Sequence, residues 1–141
     1  MMELPLALHA NFIRRGAILH SGMFEDIGHG KFFAVVGVSA DKVAGFFFIN
    51  SRIHPVIMRR PAQLEMQYQL RHCDYPFLRY DSFLCATVVQ EIPVARLAAS
   101  VASGETTHVG QLTAEDLAAV LEACRASDLF SNSAKRKYFS D

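Results

Sequence analysis

Two apolar runs constrain this chain more than anything else in it. Lys31-Phe32-Phe33-Ala34-Val35-Val36-Gly37-Val38 carries two Phe and three Val in eight positions, and Val43-Ala44-Gly45-Phe46-Phe47-Phe48-Ile49-Asn50 follows after Ser39-Ala40-Asp41-Lys42. Aromatic and β-branched residues at this density favour strands over helix. The polar tetrapeptide between them reads as a turn, so the pair is predicted to be a hairpin with a longer loop. Neither run alternates apolar with polar residues, so both faces of the hairpin are expected to be buried.

The remaining elements are built around that hairpin. Ala17–Met23 precedes the turn-rich Glu25-Asp26-Ile27-Gly28-His29-Gly30, where glycines supply positive φ. Ser82–Ile92 reads as a further strand, closed by Pro93, which lacks a ladder donor. Val94–Val101 reads as a short helix. Thr113 is a natural N-cap with Asp116 at N3, and Leu112 and Leu117 take the two positions of a hydrophobic staple, so a helix is predicted over Ala114–Ala126. Its Leu117, Val120, Leu121 and Cys124 form one apolar stripe for packing on the sheet. Pro55–Met58 is a short apolar run, and residues 62–79, of mixed composition, are expected to hold a short helical turn or loop.

Strands first and one strong helix late describe an antiparallel, β-rich α+β domain, with a small half-open barrel as its natural form. Five or six short strands need covered edges, either under the late helix or against a second copy, so a homodimer is expected. One domain spans residues 1–130. Residues 131–141, with Lys135-Arg136-Lys137, are expected to be a basic, partly mobile C-terminal tail.

Composition narrows the function classes. The 141 residues are 51% hydrophobic and 20% charged, too apolar for a disordered chain. Fourteen Lys+Arg balance fourteen Asp+Glu, which argues against a uniformly basic coat. The balance is uneven along the chain: residues 52–79 hold five Arg against two acids, +3, and residues 80–128 hold seven acids against two Arg, −5. Cys73, Cys85 and Cys124 are an odd number without a close pair, so neither a disulfide framework nor a zinc knuckle is expected. The apolar stretch Met1–Phe12 precedes Arg14-Arg15, the reverse of a signal peptide's order, and points to a cytoplasmic protein. The apolar runs fall short of the roughly 18 residues of a membrane span, so no membrane is expected as a partner.

Several candidates for chemistry are weak as motifs. The six His residues show no metal-ligand spacing, so no metal is expected. Gly28-His29-Gly30-Lys31 lies before a strand, whereas phosphate-cradling loops lie after one and open a helix. Cys85 and Cys124 read as core, and His72-Cys73-Asp74 as loop. A distributed polar set is left: His29 and Lys31 before the first run, Asn50-Ser51-Arg52-Ile53-His54 after the second, and Arg59, Arg60, Arg71 and Arg79. In a hairpin, Lys31 and Ser51 lie toward the same open end, and a shared cleft there suits a phosphodiester. A His beside it suits proton transfer between a ribose 2′-hydroxyl and a leaving oxygen, which is metal-free RNA cleavage. An ordinary solvated rim accounts for the same residues.

The order of four segments resembles the PemK/MazF-like toxins of bacterial toxin–antitoxin systems. These are Gly16-Ala17-Ile18-Leu19, Gly28-His29-Gly30-Lys31-Phe32-Phe33-Ala34-Val35-Val36, Asp81-Ser82-Phe83-Leu84-Cys85 with Arg96-Leu97 beyond it, and Val109-Gly110-Gln111-Leu112-Thr113-Ala114-Glu115-Asp116-Leu117 with Val120-Leu121. The resemblance implies an SH3-like half-open barrel with a C-terminal helix packed on its sheet. It also implies a homodimer, an mRNA-interferase-type endoribonuclease that cuts single-stranded RNA without metal or cofactor, and a cognate antitoxin that blocks it. By position, Lys31 stands where the family has its catalytic Arg, and Ser51 or Asn50 near its catalytic Thr or Ser, with His29 or His54 to carry a proton. Asn50, Arg52, His54, Arg59 and Arg79 are then expected against RNA. Two positions depart from the pattern: Lys31-Phe32 replaces Arg-Pro, losing the bidentate fork, and Ala86-Thr87-Val88-Val89-Gln90 lacks the charges that usually follow the "Leu-Cys". That apolar stretch suits an alternative, a non-catalytic barrel that binds a protein such as an antitoxin or a gyrase-like target. A third reading is a bare interaction module whose basic stretch is a solvated face.

Overall fold

A computed structural model describes residues 12–24 and 30–140. The described chain is mixed α+β with a mostly antiparallel seven-stranded sheet. Its strands are β1 (Ala17–Ser21), β2 (Lys31–Val38), β3 (Val43–Asn50), β4 (Gln67–Leu70), β5 (Ser82–Cys85), β6 (Gln90–Pro93) and β7 (Thr106–Gln111). The helices are α1 (Pro55–Met58), α2 (Pro61–Leu64), α3 (Val94–Ser103), α4 (Ala114–Ala126) and α5 (Asn132–Ala134), the last running into a π-helical turn at Lys135–Phe139. The sheet runs β4-β5-β3-β2-β1-β7, and β6 joins β3 beside β5.

The hairpin sits at the centre, with a core on each face. Phe33 pairs with Phe48 and Val35 with Phe46, so these side chains share one face with Ala17 and Leu19 and pack beneath Val94, Leu97 and Ala98 of α3. The alternate residues Ala34, Phe47 and Ile49, with Ile18 of β1, pack beneath Val120, Leu121 and Cys124 of α4. A continuous apolar run therefore replaces alternation, as expected of strands covered on both sides.

The structure departs from the sequence expectation in four places. The strand over Ser82–Ile92 is broken: Ile49 pairs with Leu84 and Phe46 with Gln90, so three steps along β3 are matched by six along its partner. The three extra residues are taken up in a turn that leaves Val88 exposed and Ala86 buried, and the Ala86 amide bonds the Met66 carbonyl instead of the β3 ladder. Residues 62–79 contain a helical turn but also β4, which pairs with β5. β7 was not expected from Thr-Thr-His-Val-Gly-Gln, a polar edge sequence whose pairing with β1 comes from its neighbour. The basic tail is docked: Tyr138 and Phe139 are buried in the α4-side core.

The cap of α4 forms, with an exchange of partners. Thr113 Oγ1 accepts the Asp116 amide at 3.1 Å, as an N-cap does. The return bond of a capping box is supplied by another residue. The Thr113 amide donates to the hydroxyl of buried Tyr75 at 3.1 Å, and that hydroxyl donates to Asp116 Oδ2. Tyr68 donates to the other carboxylate oxygen at 2.8 Å. Burial, then the bond to Asp116, pushes the Tyr68 phenol up to about 12. Residues 67–75 are thereby tied to the start of the late helix.

The docked tail carries a pH dependence. Tyr138 donates to Glu91 Oε2, and Lys137 Nζ lies 3.2 Å from the same oxygen. The Tyr138 hydroxyl and the Lys137 ammonium hold the Glu91 carboxyl below its usual 4.5. A carboxyl depressed in the fold contributes stability that is present above its unfolded value and is lost as pH falls through the folded one. Stability should therefore decline below about pH 4.5, and Glu91→Gln should flatten that decline by less than about 1 kcal/mol, because so exposed a pair is screened. Urea unfolding of both proteins across that range reads the slope, and identical slopes would remove Glu91 from the account.

Candidate functional site

A hairpin brings the start of its first strand beside the end of its second. Phe32 pairs with Ile49, so Lys31 comes next to Asn50. A cleft of about 720 Å³ opens at this end of the sheet, lined by Lys31, Asn50, Ser51, Arg52, His54 and Arg79, together with His20, Phe32, Leu78, Tyr80 and Ser82. Six of the eight residues that the family resemblance assigns to the site thus meet in one place, and Arg60 and Arg71 are not part of the lining. Arg59 caps the end of α1 and is not part of the lining. His29 lies outside the described residues. Among the described residues the lining holds three cations and no carboxylate, which favours an anionic occupant.

Lys31 is half-buried and positioned. Its Nζ donates to Asn50 Oδ1 and stands 5.5 Å from the centroid of the Phe48 ring. Burial lowers its pKa from the usual 10.5, with nearby Cys85 acting in the opposite direction. An ammonium has three N–H groups. With one on Asn50, the others remain for an anion, whose charge would offset the desolvation.

His20 is the residue that sequence reasoning missed. It pairs with Phe32 across β1 and β2, with ring centroids 4.5 Å apart. Gly30, at φ 78°, seats the ring from the other side: a Cβ there would stand 2.5 Å from His20 Cε1. No described residue takes a hydrogen bond from the imidazole. Alternation places His20, Phe32 and Ile49 on one face of the sheet and Lys31, Phe48 and Asn50 on the other, and the cleft wraps the strand ends where both faces open. Nothing in the sequence marks His20 until β1 is registered against β2.

The other His and Cys candidates separate clearly. His54 caps α1, its Nδ1 accepting the Val56 amide at 3.1 Å, so the neutral ring carries its proton on Nε2. Cys124 is fully buried, and burial pushes its thiol up to about 12. Cys85 is half-buried, with Gln67 Nε2 and Thr87 Oγ1 each at 3.4 Å. Cys73 is exposed in a turn. Among the described residues there is no group of three or more His, Cys, Asp or Glu placed to hold a metal ion, and no helix long and apolar enough to cross a membrane.

No protein-family model matches the chain, and no curated protein matches it.

Proposed function

We propose that this protein is a toxin-like endoribonuclease that cleaves single-stranded RNA without metal, with its site in the cleft at the open end of the β2–β3 hairpin. The observation that carries this reading is the convergence there of a half-buried Lys31, the Ser51 hydroxyl, Arg52, Arg79 and an imidazole, in a lining without carboxylates. In the reaction, the ribose 2′-oxygen bonds to the adjacent phosphorus and the bond from phosphorus to the 5′-oxygen breaks. The 2′-hydroxyl proton leaves to a base, and the departing 5′-oxygen takes a proton, giving a 2′,3′-cyclic phosphate and a 5′-hydroxyl. Lys31 steadies the non-bridging oxygens as charge develops on them, Ser51 donates a hydrogen bond beside them, and His20 carries the proton. The same reading takes the sheet as an SH3-like half-open barrel, the chain as a homodimer, and an antitoxin as the protein that covers the cleft.

The test is a long single-stranded RNA incubated with the purified protein in EDTA, with the new ends mapped. Discrete cuts that end in cyclic phosphate are expected, slowed about 10²–10⁴-fold in His20→Gln, the range of a lost proton carrier. Ser51→Ala should also slow them. A folded protein that makes no cuts would overturn the reading. In its favour the alternative of a protein-binding barrel has one observation: Val56 and Met58 of α1 are 46% and 57% exposed next to the cleft.

A further inference from the structure

Residues 78–82 form a pinned loop at the lip of the cleft. Leu78 is buried at 2% exposure and Ser82 at 5%. The Ser82 hydroxyl donates to the Tyr80 carbonyl at 2.9 Å, and the Asp81 carboxylate accepts the His72 amide at 2.7 Å. The backbone is thus fixed at both ends, yet the two side chains it presents, Arg79 and Tyr80, point outward. Tyr80 is 60% exposed, and the Arg79 guanidinium lies 5.9 Å from the centroid of its ring. A large aromatic presented in the open from a pinned backbone beside cations, with no carboxylate in the lining, suits a ligand that offers both a flat π-face and negative charge.

We propose that Tyr80 is a stacking platform for an unpaired nucleobase, with the flanking phosphates held by Arg79 and the other cations of the cleft. The inference rests on the reading of the cleft as an RNA site and names how that site selects its substrate. In a duplex each base face is covered by its neighbours, so only an unpaired base has a face to give the ring. Arg79 on the ring strengthens the platform from one side and contacts phosphate from the other.

The test uses the full chain and a dye-labelled 2′-O-methyl oligonucleotide of about six nucleotides, within the site sizes of such grooves, which lacks the attacking hydroxyl and is not cut. Binding is followed by anisotropy in EDTA, next to an abasic oligomer with the same number of phosphates. Tyr80→Ala should weaken the base-containing oligomer about 5- to 150-fold, the value of one stacked base, and leave the abasic oligomer unchanged. Tyr80→Phe should recover the affinity, because the ring face is the contact. The chain has no Trp, so Tyr80→Trp introduces a single indole whose fluorescence the stacked base should quench. Equal binding of the two oligomers by the wild type, binding of neither, or the same Tyr80 dependence for a duplex or an Asp/Glu-rich peptide would overturn the platform. Tyr80-dependent binding by a protein that never cuts RNA would sink the nuclease and keep the platform. Cleavage indifferent to Tyr80 would do the reverse.

Discussion

Phe139→Ala is expected to lower the unfolding free energy by about 3–5 kcal/mol, among the largest effects of any single truncation in this chain. The residue belongs to the π-helical turn at Lys135–Phe139. Here it is fully buried, with its ring 5.0 Å from that of Phe130 and 6.2 Å from that of Phe47 at the centre of β3. Truncation leaves a cavity between the sheet and α4 that neither rigid layer can close. The backbone around it is clamped as well: the Phe139 carbonyl accepts Arg125 Nε at 2.6 Å, and the Tyr138 carbonyl accepts an Arg15 Nη2 at 2.8 Å. Space for this segment is made by a pair of facing glycines, Gly37 and Gly45. A Cβ on Gly37 would stand 2.1 Å from the Tyr138 carbonyl oxygen, and one on Gly45 would stand 2.6 Å from the Tyr138 ring. Gly37→Ala should therefore destabilise by a second route, about 1–3 kcal/mol through overpacking against backbone. Urea denaturation with an unchanged m-value is the measurement, and a loss below about 1 kcal/mol for Phe139→Ala would show that the segment is not part of the cooperative core.

On the proposed ribonuclease reading, Lys31→Gln should slow RNA cleavage by about 10²–10³-fold, the scale for removing one preorganised group that meets developing charge. Gln keeps a hydrogen bond within reach of Asn50 and fills similar space, so the unfolding free energy should change by less than about 1 kcal/mol. That contrast separates a role in the site from a role in the fold. Lys31→Arg restores the charge and adds a planar fork suited to phosphate, so it should recover most of the rate. Full activity in Lys31→Gln would remove Lys31 from the chemistry. A parallel loss of folding would make its role structural.

Much of the fold was legible because local signals and tertiary demands agree. The aromatic and β-branched residues of Lys31–Val38 and Val43–Asn50 favoured strands buried on both faces, and Thr113 with the stripe from Leu117 to Cys124 set the late helix at Ala114–Ala126, where it is found. β4 and β7 were not legible because they lie at the two ends of the sheet path, where a polar sequence is held by its partner strand rather than by its own propensity. The break between β5 and β6 was hidden because Ser82–Ile92 holds no Gly or Pro and is rich in apolar and β-branched residues, and only the register against β3 shows three too many.

The site divides in the same way. A hairpin implies that Lys31 and Asn50 stand together, so that half of the cleft followed from the chain's own order. His20, Tyr80 and the docking of Tyr138 and Phe139 did not. Hydrophobic patterning determines which segments become strands and helices, since it acts over a few neighbouring residues. Which side chain faces which across the sheet, and which ring fills the gap left by two facing glycines, depends on register and close packing between segments far apart in sequence. Only the tertiary structure decides those.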